Sequence, residues 1–206
     1  MSTAPAATVP GQPRNPLLLI ADTDAILQLV IADCVSLLKL LGTEYGIRAT
    51  IVEAVKTELL LKAERKFAPF KKSIHKALDS HTLSVLTSPF LRESGWTDSD
   101  RAVDLITKLG TKYTDFVDRG EAFSYAAANL LKMPILSNDG AAISDLRDNR
   151  ITVPTTILRA FDIVVFGFQI ESRSETECDL VRQKLANSHE YLPECFVHAA
   201  FKAGLP

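Results

Sequence analysis

Four acidic residues stand where predicted strands and helices can bring them to one place. Asp22 and Asp139 each follow an apolar segment that predicts a buried strand, and Glu121 opens an alanine-rich helix. Glu58 lies on another predicted helix. Several carboxylates held together repel one another, so a protein does not gather them for stability. Their oxygens instead suit Mg²⁺ or Mn²⁺, and such ions serve the hydrolysis of phosphodiester bonds.

Other chemistries find little support in the sequence. It contains no GxSxG, GxGxxG or P-loop pattern, so dinucleotide and nucleoside-triphosphate binding lack a phosphate cradle. The net charge of -2 gives no overall attraction to nucleic acid or to anionic membranes, although a local basic patch can still bind phosphate. The histidines, which show no metal-ligand spacing, are His75, His81, His189 and His198.

Each acid also has a purely structural interpretation. Asp22 or Asp24 can cap the helix that follows them, and Asp139 can be a turn residue. Glu121 can be an ordinary acid in the first turn of its helix. Glu58 lies about 60° from the apolar stripe of its helix, so it faces either the protein body or solvent.

Strands alternate with helices along the chain, which predicts a three-layer α/β/α fold around a central parallel sheet. In such a sheet the carboxyl ends of the strands share one edge, so we expect Asp22 and Asp139 to lie together there. The predicted strands cover residues 17–21, 45–49, 83–86, 135–136 and 151–153.

Helical periodicity and capping patterns predict the helices. Ala25–Leu41 carries helically spaced apolar residues and is expected to end at Gly42. Thr50 with Glu53 fits a capping box that opens the helix carrying Glu58. Two further helices are predicted with a capping pair: Thr97 with Asp100 opens one that runs to about Leu109, and Ser174 with Glu177 opens one that runs to about Asn187. Helices are also predicted over 122–132, 155–168 and 193–203.

Composition divides the chain into three parts. Residues 1–16 are rich in Ala, Pro and Thr and lack the features of a signal peptide, so we expect a disordered tail. Residues 17–168 are expected to form the α/β domain. Residues 169–206 are expected to form a helical extension packed on that domain.

Neither the apolar segments nor the cysteines indicate a membrane or secreted protein. The longest apolar segment, 157–170, carries Arg159 and Asp162 and is short for a membrane span. The cysteines lack CxxC spacing and are odd in number, which predicts reduced thiols and a cytoplasmic location. They are Cys34, Cys178 and Cys195.

A basic run follows Glu58 along the chain. It sets six lysine and arginine residues against a single acid, Glu64, and Pro69 is expected to break the helix within it. The run forms either a solvated helix face or a patch that grips phosphate groups. Its basic residues are Lys62, Arg65, Lys66, Lys71, Lys72 and Lys76.

Taken together, these segments resemble a PIN-domain nuclease, of the kind that acts as the toxin of a toxin–antitoxin pair. The first strand ends in Asp22-Thr23-Asp24, where the family has Asp-Thr-Asn or a close variant. The other three motifs follow in the family's order within residues 17–160. They are Val55-Lys56-Thr57-Glu58, Gly120-Glu121-Ala122 and Ser137-Asn138-Asp139.

The resemblance implies a PIN-like fold and a metal-dependent endoribonuclease that acts on single-stranded RNA or on structured RNA such as tRNA. One or two Mg²⁺ or Mn²⁺ ions would activate water for in-line attack at phosphorus. Asp24, which replaces the family's usual Asn, is a possible further ligand, and Thr23 and Ser137 would orient the acids by hydrogen bonds. The implied catalytic metal ligands are Asp22, Glu58, Glu121 and Asp139, and the implied RNA contacts are Lys62, Arg65, Lys66, Lys71 and Lys72.

The resemblance also suggests protein partners. An antitoxin or a second copy of the chain would bind through the apolar segment 157–170 and the C-terminal helices. Two other interpretations stay open. Residues 20–26 are similar to the first motif of haloacid-dehalogenase-like phosphatases, with Asp22 as nucleophile and Asp24 as acid, although Ala25 departs from that motif. The other is a catalytically silent PIN-like module that only binds.

Overall fold

A computed structural model of the chain describes residues 17–149, 151–154, 156–171, 174, 176, 177, 180, 181, 183 and 184. The predicted tail over 1–16 and the predicted helix over 193–203 lie outside the described residues. Most of the predicted extension over 169–206 lies outside them as well. Nearly all of the segment 17–168 is described, and it has an α/β structure.

The described strands form one five-stranded parallel sheet, made of β1 (Leu17–Ala21), β2 (Ile47–Ile51), β3 (Ser84–Val85), β4 (Ile135–Leu136) and β5 (Ile157–Leu158). Their order across the sheet is β3-β2-β1-β4-β5. The chain therefore steps from β1 toward one edge and later continues on the other side of β1. This order confirms the predicted α/β class and parallel central sheet.

Helices connect the strands and flank the sheet. The connections from β1 to β3 run toward one edge and those from β3 to β5 toward the other, so right-handed crossovers place helices on both faces. This arrangement is consistent with three α/β/α layers. The described helices are α1 (Thr23–Ile31), α2 (Ser36–Tyr45), α3 (Glu53–Ala63), α4 (Lys71–Asp79), α5 (Ser88–Glu93), α6 (Ser99–Tyr113), α7 (Arg119–Leu131), α8 (Gly140–Asp148) and α9 (Ala160–Glu171).

The central strand β1 is buried from Leu18 to Ala21, with exposures of 1% or less. A strand with neighbours on both sides and helices on both faces has no polar side, which explains its unbroken apolar run. The alanine-rich α7 contacts both β1 and β4. Because its face toward the sheet consists of small buried residues, α7 can lie close to the two strands and bring Glu121 near their ends.

The predicted helix Ala25–Leu41 is wrong, because two helices, α1 and α2, occupy this region and are bent by 106° from each other. The break lies at Asp33, whose φ of 58° is left-handed. The N–H of Cys34 donates to the carbonyl of Leu29, which closes the end of α1. The apolar pattern continues through the break because both helices bury a face, so periodicity does not reveal it.

Two further boundaries between β1 and α3 differ from those predicted. Gly46, with a left-handed φ of 67°, ends α2 in place of Gly42, so β2 begins at Ile47. Thr50 is buried within β2, and its hydroxyl donates to the carbonyl of Arg48. It therefore does not form the predicted capping box with Glu53, which opens α3 without a side-chain cap.

The predicted strand over 151–153 is also wrong. The last strand is β5, which lies inside the predicted helix 155–168, and α9 begins only at Ala160. Both segments are short and apolar, so local pattern does not decide which of them pairs with β4. The predicted cap of Thr97 with Asp100 is absent as well, since α6 begins at Ser99 without a side-chain cap.

Two local predictions are confirmed. Pro69 lies in a short 3₁₀ turn, Ala68–Phe70, that separates α3 from α4. A carboxylate oxygen of Glu177 accepts hydrogen bonds from both the N–H and the hydroxyl of Ser174, at 2.8 and 3.0 Å. Among the described residues, no single helix is long and apolar enough to cross a membrane. The helices α1 and α2 pass that test only as a bent pair; α1 is largely buried in the core, and α2 buries one face.

Candidate metal centre

The strand order reverses between β1 and β4, and acidic residues follow both of these strands. Asp22 comes directly after β1, and its N–H donates to the carbonyl of Leu136 at the end of β4, at 3.0 Å. Asp139 follows β4 by three residues. In open parallel sheets, ligands bind outside the carboxyl ends of the strands at such a reversal. The topology therefore places the two acids where a ligand site is expected.

Asp22 is buried, with 2% of its surface exposed, and it caps α1. One carboxylate oxygen, Oδ1, accepts from the N–H of Ala25 at 2.9 Å, whereas the buried Oδ2 accepts no hydrogen bond of good geometry. Burial raises the pKa of Asp22 to about 7, and the charges of Asp24 and Asp139 add to the rise, although the Ser137 hydroxyl and the Ala25 N–H oppose it. Asp22 is thus both the predicted cap and a buried carboxylate with an unpartnered oxygen.

Asp139 caps α8 rather than occupying a simple turn. Its Oδ1 accepts from the N–H groups of Ala141 and Ala142, at 2.7 and 2.9 Å. Burial alone would raise the pKa of Asp139, but the Ala142 N–H, a hydrogen bond with Glu121, the Ala141 N–H and the charge of Arg159 together lower it. Asp139 is therefore held as an anion by the start of α8.

Glu121 lies in the first turn of α7 and pairs with Asp139. The pKa of Glu121 is raised to about 8, and burial is the largest cause. The hydrogen bond with Asp139 and the charges of Asp139, Asp22 and Asp118 raise it further. Two carboxylates can hydrogen-bond only when one of them keeps a proton. The pKa of Glu121 is raised and that of Asp139 is lowered, so Glu121 is the acid of this pair that more readily keeps a proton.

Glu58 reaches the same region from α3 but has different partners. Its Oε2 accepts from the Thr23 hydroxyl at 2.7 Å, and its Oε1 lies 2.9 Å from the Lys62 ammonium. Lys62 also lies 2.9 Å from Oδ1 of Asp24. Burial would lower the pKa of Lys62, but its hydrogen bonds with Asp24 and Glu58 raise it overall. Lys62 therefore offers one positive charge that the two carboxylates share.

Gly120 allows α7 to approach this group. A Cβ atom at position 120 would overlap Oε2 of Glu58 and contact Oγ1 of Thr23 at 3.3 Å. Any larger residue would push Glu58 away from Thr23 or α7 away from α3. The glycine of the Gly-Glu-Ala motif therefore provides the space that α7 needs beside Glu58.

Ser137 connects the buried Tyr125 to the acids. The Tyr125 hydroxyl donates to Oγ of Ser137 at 3.4 Å, and the N–H of Asp139 lies at the same distance from that oxygen. Burial raises the pKa of Tyr125 to about 12, so it stays a donor. With its oxygen accepting from these groups, Ser137 can direct its own proton toward Asp22.

The structure thus sorts the five candidate acids into two groups. Glu58 and Asp24 form a lysine-paired group around Lys62. The other three acids form a second group, called the proton-sharing group because the raised pKa values of two members favour their protonated forms; the charge of Asp139 acts on both of these, and the members are Asp22, Glu121 and Asp139.

The proton-sharing group fits a divalent cation by its chemistry. Among the described residues, no three His, Cys, Asp or Glu side chains are already arranged around a metal position. Glu121 and Asp139 nevertheless lie close enough to shift each other's pKa in opposite directions, and a bound cation would relieve the repulsion between their ionised forms. The buried Oδ2 of Asp22 has no hydrogen bond of good geometry, and the Ser137 hydroxyl, which lowers the pKa of Asp22, brings no positive charge. Carboxylate oxygens are the ligands that Mg²⁺ and Mn²⁺ prefer.

The basic residues predicted to contact RNA fall in two places. Lys62, Arg65 and Lys66 line a pocket of about 330 Å³ that also contains Asp24 and Glu58. The other residues line a separate groove of about 820 Å³ on and before α4, and Lys71 there pairs with Glu64 at 2.7 Å. The members of this second group are Lys71, Lys72 and Lys76, with His75 beside them.

Two clefts reach the acids. One of about 620 Å³ runs between α3, α6 and α7 and borders Glu58 and Gly120. Another of about 440 Å³ is open to Glu121 and Asp139 and continues past Asp118. The acids are therefore accessible from solvent although Asp22 is buried.

Several contributors to this region were not predicted. Lys62 was assigned to RNA, although its position four residues after Glu58 is the spacing of a helical ion pair and signals that contact. Its pairing with Asp24 spans 38 residues and has no local signal. Tyr125 and Asp118 act on the acids through the packing of α7, which the sequence does not specify.

Comparison of the chain with protein-family models, curated proteins and solved structures gives no significant match.

Proposed function

We propose that this chain is a PIN-like, metal-dependent endoribonuclease that hydrolyses RNA phosphodiester bonds. The observation that carries the proposal is the buried Asp22, whose Oδ2 has no hydrogen bond of good geometry, next to the carboxylates of Glu121 and Asp139, which shift each other's pKa. Such an arrangement is costly in an empty protein and is explained by a cation that binds there. The four acids also keep the motif order of the resemblance.

Asp22, Glu121 and Asp139 would hold Mg²⁺ or Mn²⁺. When bound, the ion would supply the positive charge that activates water and neutralises charge developing on the phosphate. The chain contributes the orientation of its ligands. The N-terminus of α1 fixes Oδ1 of Asp22, and that of α8 fixes Oδ1 of Asp139. Glu121 gives up its proton as the ion binds.

Glu58, Arg65 and Lys66 would act on the substrate side of the centre. The pocket that they share with Lys62 adjoins the acids and carries positive charge suited to phosphate groups. Lys71 and Lys72 lie in the separate groove, where they would contact RNA farther from the scissile bond. Single-stranded RNA and tRNA are the substrates that the resemblance suggests.

The phosphatase alternative finds less support in the geometry. A nucleophilic carboxylate needs an oxygen that substrate can approach, whereas Asp22 is 2% exposed and one oxygen is occupied by the Ala25 N–H. An antitoxin or a second copy as partner stays a prediction. Part of the apolar surface proposed for it is used within the chain, because α9 packs on α1 and α2 and buries Ile163 and Val164.

The test is cleavage of single-stranded RNA and tRNA by purified protein in Mn²⁺ or Mg²⁺, with EDTA as a blank. We expect cleavage that requires the ion. Cleavage should be lost in Glu121→Gln, because the glutamine amide cannot ionise and so cannot bind the cation as a carboxylate does. Glu93→Gln, at an exposed position in α5, is the matched control and should cleave as the wild type does. Intact RNA in Mn²⁺, with no Mn²⁺ bound, would rule the proposal out.

A further inference from the structure

The Lys62 ammonium occupies a position between two carboxylates. Its Nζ lies 2.9 Å from Oδ1 of Asp24 and 2.9 Å from Oε1 of Glu58, and the lysine side chain is 33% exposed. The other carboxylate oxygen of Glu58, Oε2, accepts a hydrogen bond from the Thr23 hydroxyl. Both acids are therefore already matched with a positive charge and held in place.

The proton-sharing group has no such cation. In the described part of the chain, no lysine or arginine forms an ion pair with Asp22, Glu121 or Asp139. Arg159 acts on Asp139 only through its charge, and its own hydrogen bond goes to the carbonyl of Asn138. The two groups of acids thus differ in their positive neighbours: a lysine lies between the carboxylates of one group, and no described lysine or arginine pairs with the other.

We propose that Lys62 takes the place of a second metal ion, so that the centre binds one divalent cation at Asp22, Glu121 and Asp139. The inference rests on the metal binding of the proposed function and defines its stoichiometry. Asp24 and Glu58 would otherwise suit a second ion, because Mg²⁺ and Mn²⁺ are often held by one or two carboxylates and water. An ammonium between them halves the negative charge of the pair and occupies the space between the two oxygens, so a second ion is attracted less strongly.

Lys62 would also take over a role that a second ion has in two-metal centres. An ammonium group has three N–H donors, and two are directed to Asp24 and Glu58. Lys62 lines the pocket shared with Arg65 and Lys66, so its third donor can reach a phosphate oxygen bound there. It would thus be a positioning residue that adds fixed positive charge beside the substrate.

The test is the number of Mn²⁺ ions bound per chain, measured by titration calorimetry and by electron paramagnetic resonance of free Mn²⁺. We expect about one ion for the wild type and about two for Lys62→Met and Lys62→Gln, since both variants free the Asp24–Glu58 pair. Lys62→Arg keeps the positive charge and should bind one. Adding Glu58→Gln to Lys62→Met should return the number to one.

Lys71→Met is the matched control, because Lys71 forms a comparable ion pair with Glu64 away from the acids. It should bind one ion. Two ions in the wild type, or one in both Lys62→Met and Lys62→Gln when they are folded by circular dichroism, would overturn the role of Lys62 and leave the nuclease proposal standing. No bound Mn²⁺ in the wild type would overturn the metal centre itself, and the inference with it.

Discussion

The lysine-paired and proton-sharing groups consist of the same kind of side chain in one region, yet their electrostatics differ. Asp24 and Glu58 are partly exposed and share the Lys62 ammonium. The proton-sharing group includes a nearly fully buried acid and has no lysine or arginine paired with it in the described residues. The comparison shows that acid clustering alone does not indicate a metal site. What distinguishes the groups is the absence of a built-in positive charge around a buried carboxylate.

The largest expected effect separates the two neighbouring acids Asp22 and Asp24. Asp22→Asn should lower RNA cleavage by on the order of 10³-fold, as for the loss of a principal transition-state group. Asp24→Asn should lower it by less than about tenfold, because its charge is an ion-pair partner near the surface. Single-turnover rates in Mn²⁺ measure both. Asn caps a helix as well as Asp does, so α1 is retained in Asp22→Asn. If the two variants lost the same fraction of the cleavage rate, the two groups of acids would not differ in catalysis.

The second expected effect is a dependence of the free energy of unfolding on pH when no metal is bound. The pKa of Asp22 is raised to about 7 and that of Glu121 to about 8, so their protonated forms stabilise the folded state. This stabilisation is complete below the ordinary pKa values of 3.8 and 4.5 and is lost as pH rises through the folded values. The free energy of unfolding in EDTA should therefore fall between about pH 5 and pH 8.

The size of that fall follows from the more deeply buried acid. Asp22 alone contributes about 2–4 kcal/mol at 1.36 kcal/mol per unit of pKa, and Glu121 adds less because solvent screens it. Urea unfolding at several pH values checks this, with Glu93→Gln, at an exposed position in α5, as the control that keeps the slope. In Asp22→Asn the slope should flatten, and in wild type Mn²⁺ should restore stability at high pH. A stability that rises with pH over this range would contradict the assignment of the shared proton.

The smallest expected effect concerns the contact between the groups at Gly120. Gly120→Ala would place a methyl group against Oε2 of Glu58, so we expect a loss of about 1–3 kcal/mol in the free energy of unfolding. Gly140→Ala is the control, because its Cβ would meet only Arg159, at 3.8 Å. Urea unfolding of both variants measures the difference. An equal loss in the two would mean that the approach of α7 to α3 tolerates a side chain.

The class of fold and the main acids could be predicted because they depend on local patterns. A strand covered on both faces must be apolar, so β1 and β4 are visible as apolar segments; β1 ends directly before Asp22 and β4 ends three residues before Asp139. The small residues of α7 likewise mark a helix that lies against the sheet. The break at Asp33 and the position of β5 were not predictable in this way. They depend on which apolar surfaces meet after the chain folds.

The sequence by itself therefore determined which acids follow the central strands and that the sheet is parallel. Only the tertiary structure decided how their charges are balanced. Lys62 reaches Asp24 across 38 residues because α3 packs beside the start of α1, and Glu121 meets Asp139 because α7 lies on β1 and β4. Charge balance depends on distance and burial, and these quantities exist only after the segments have packed.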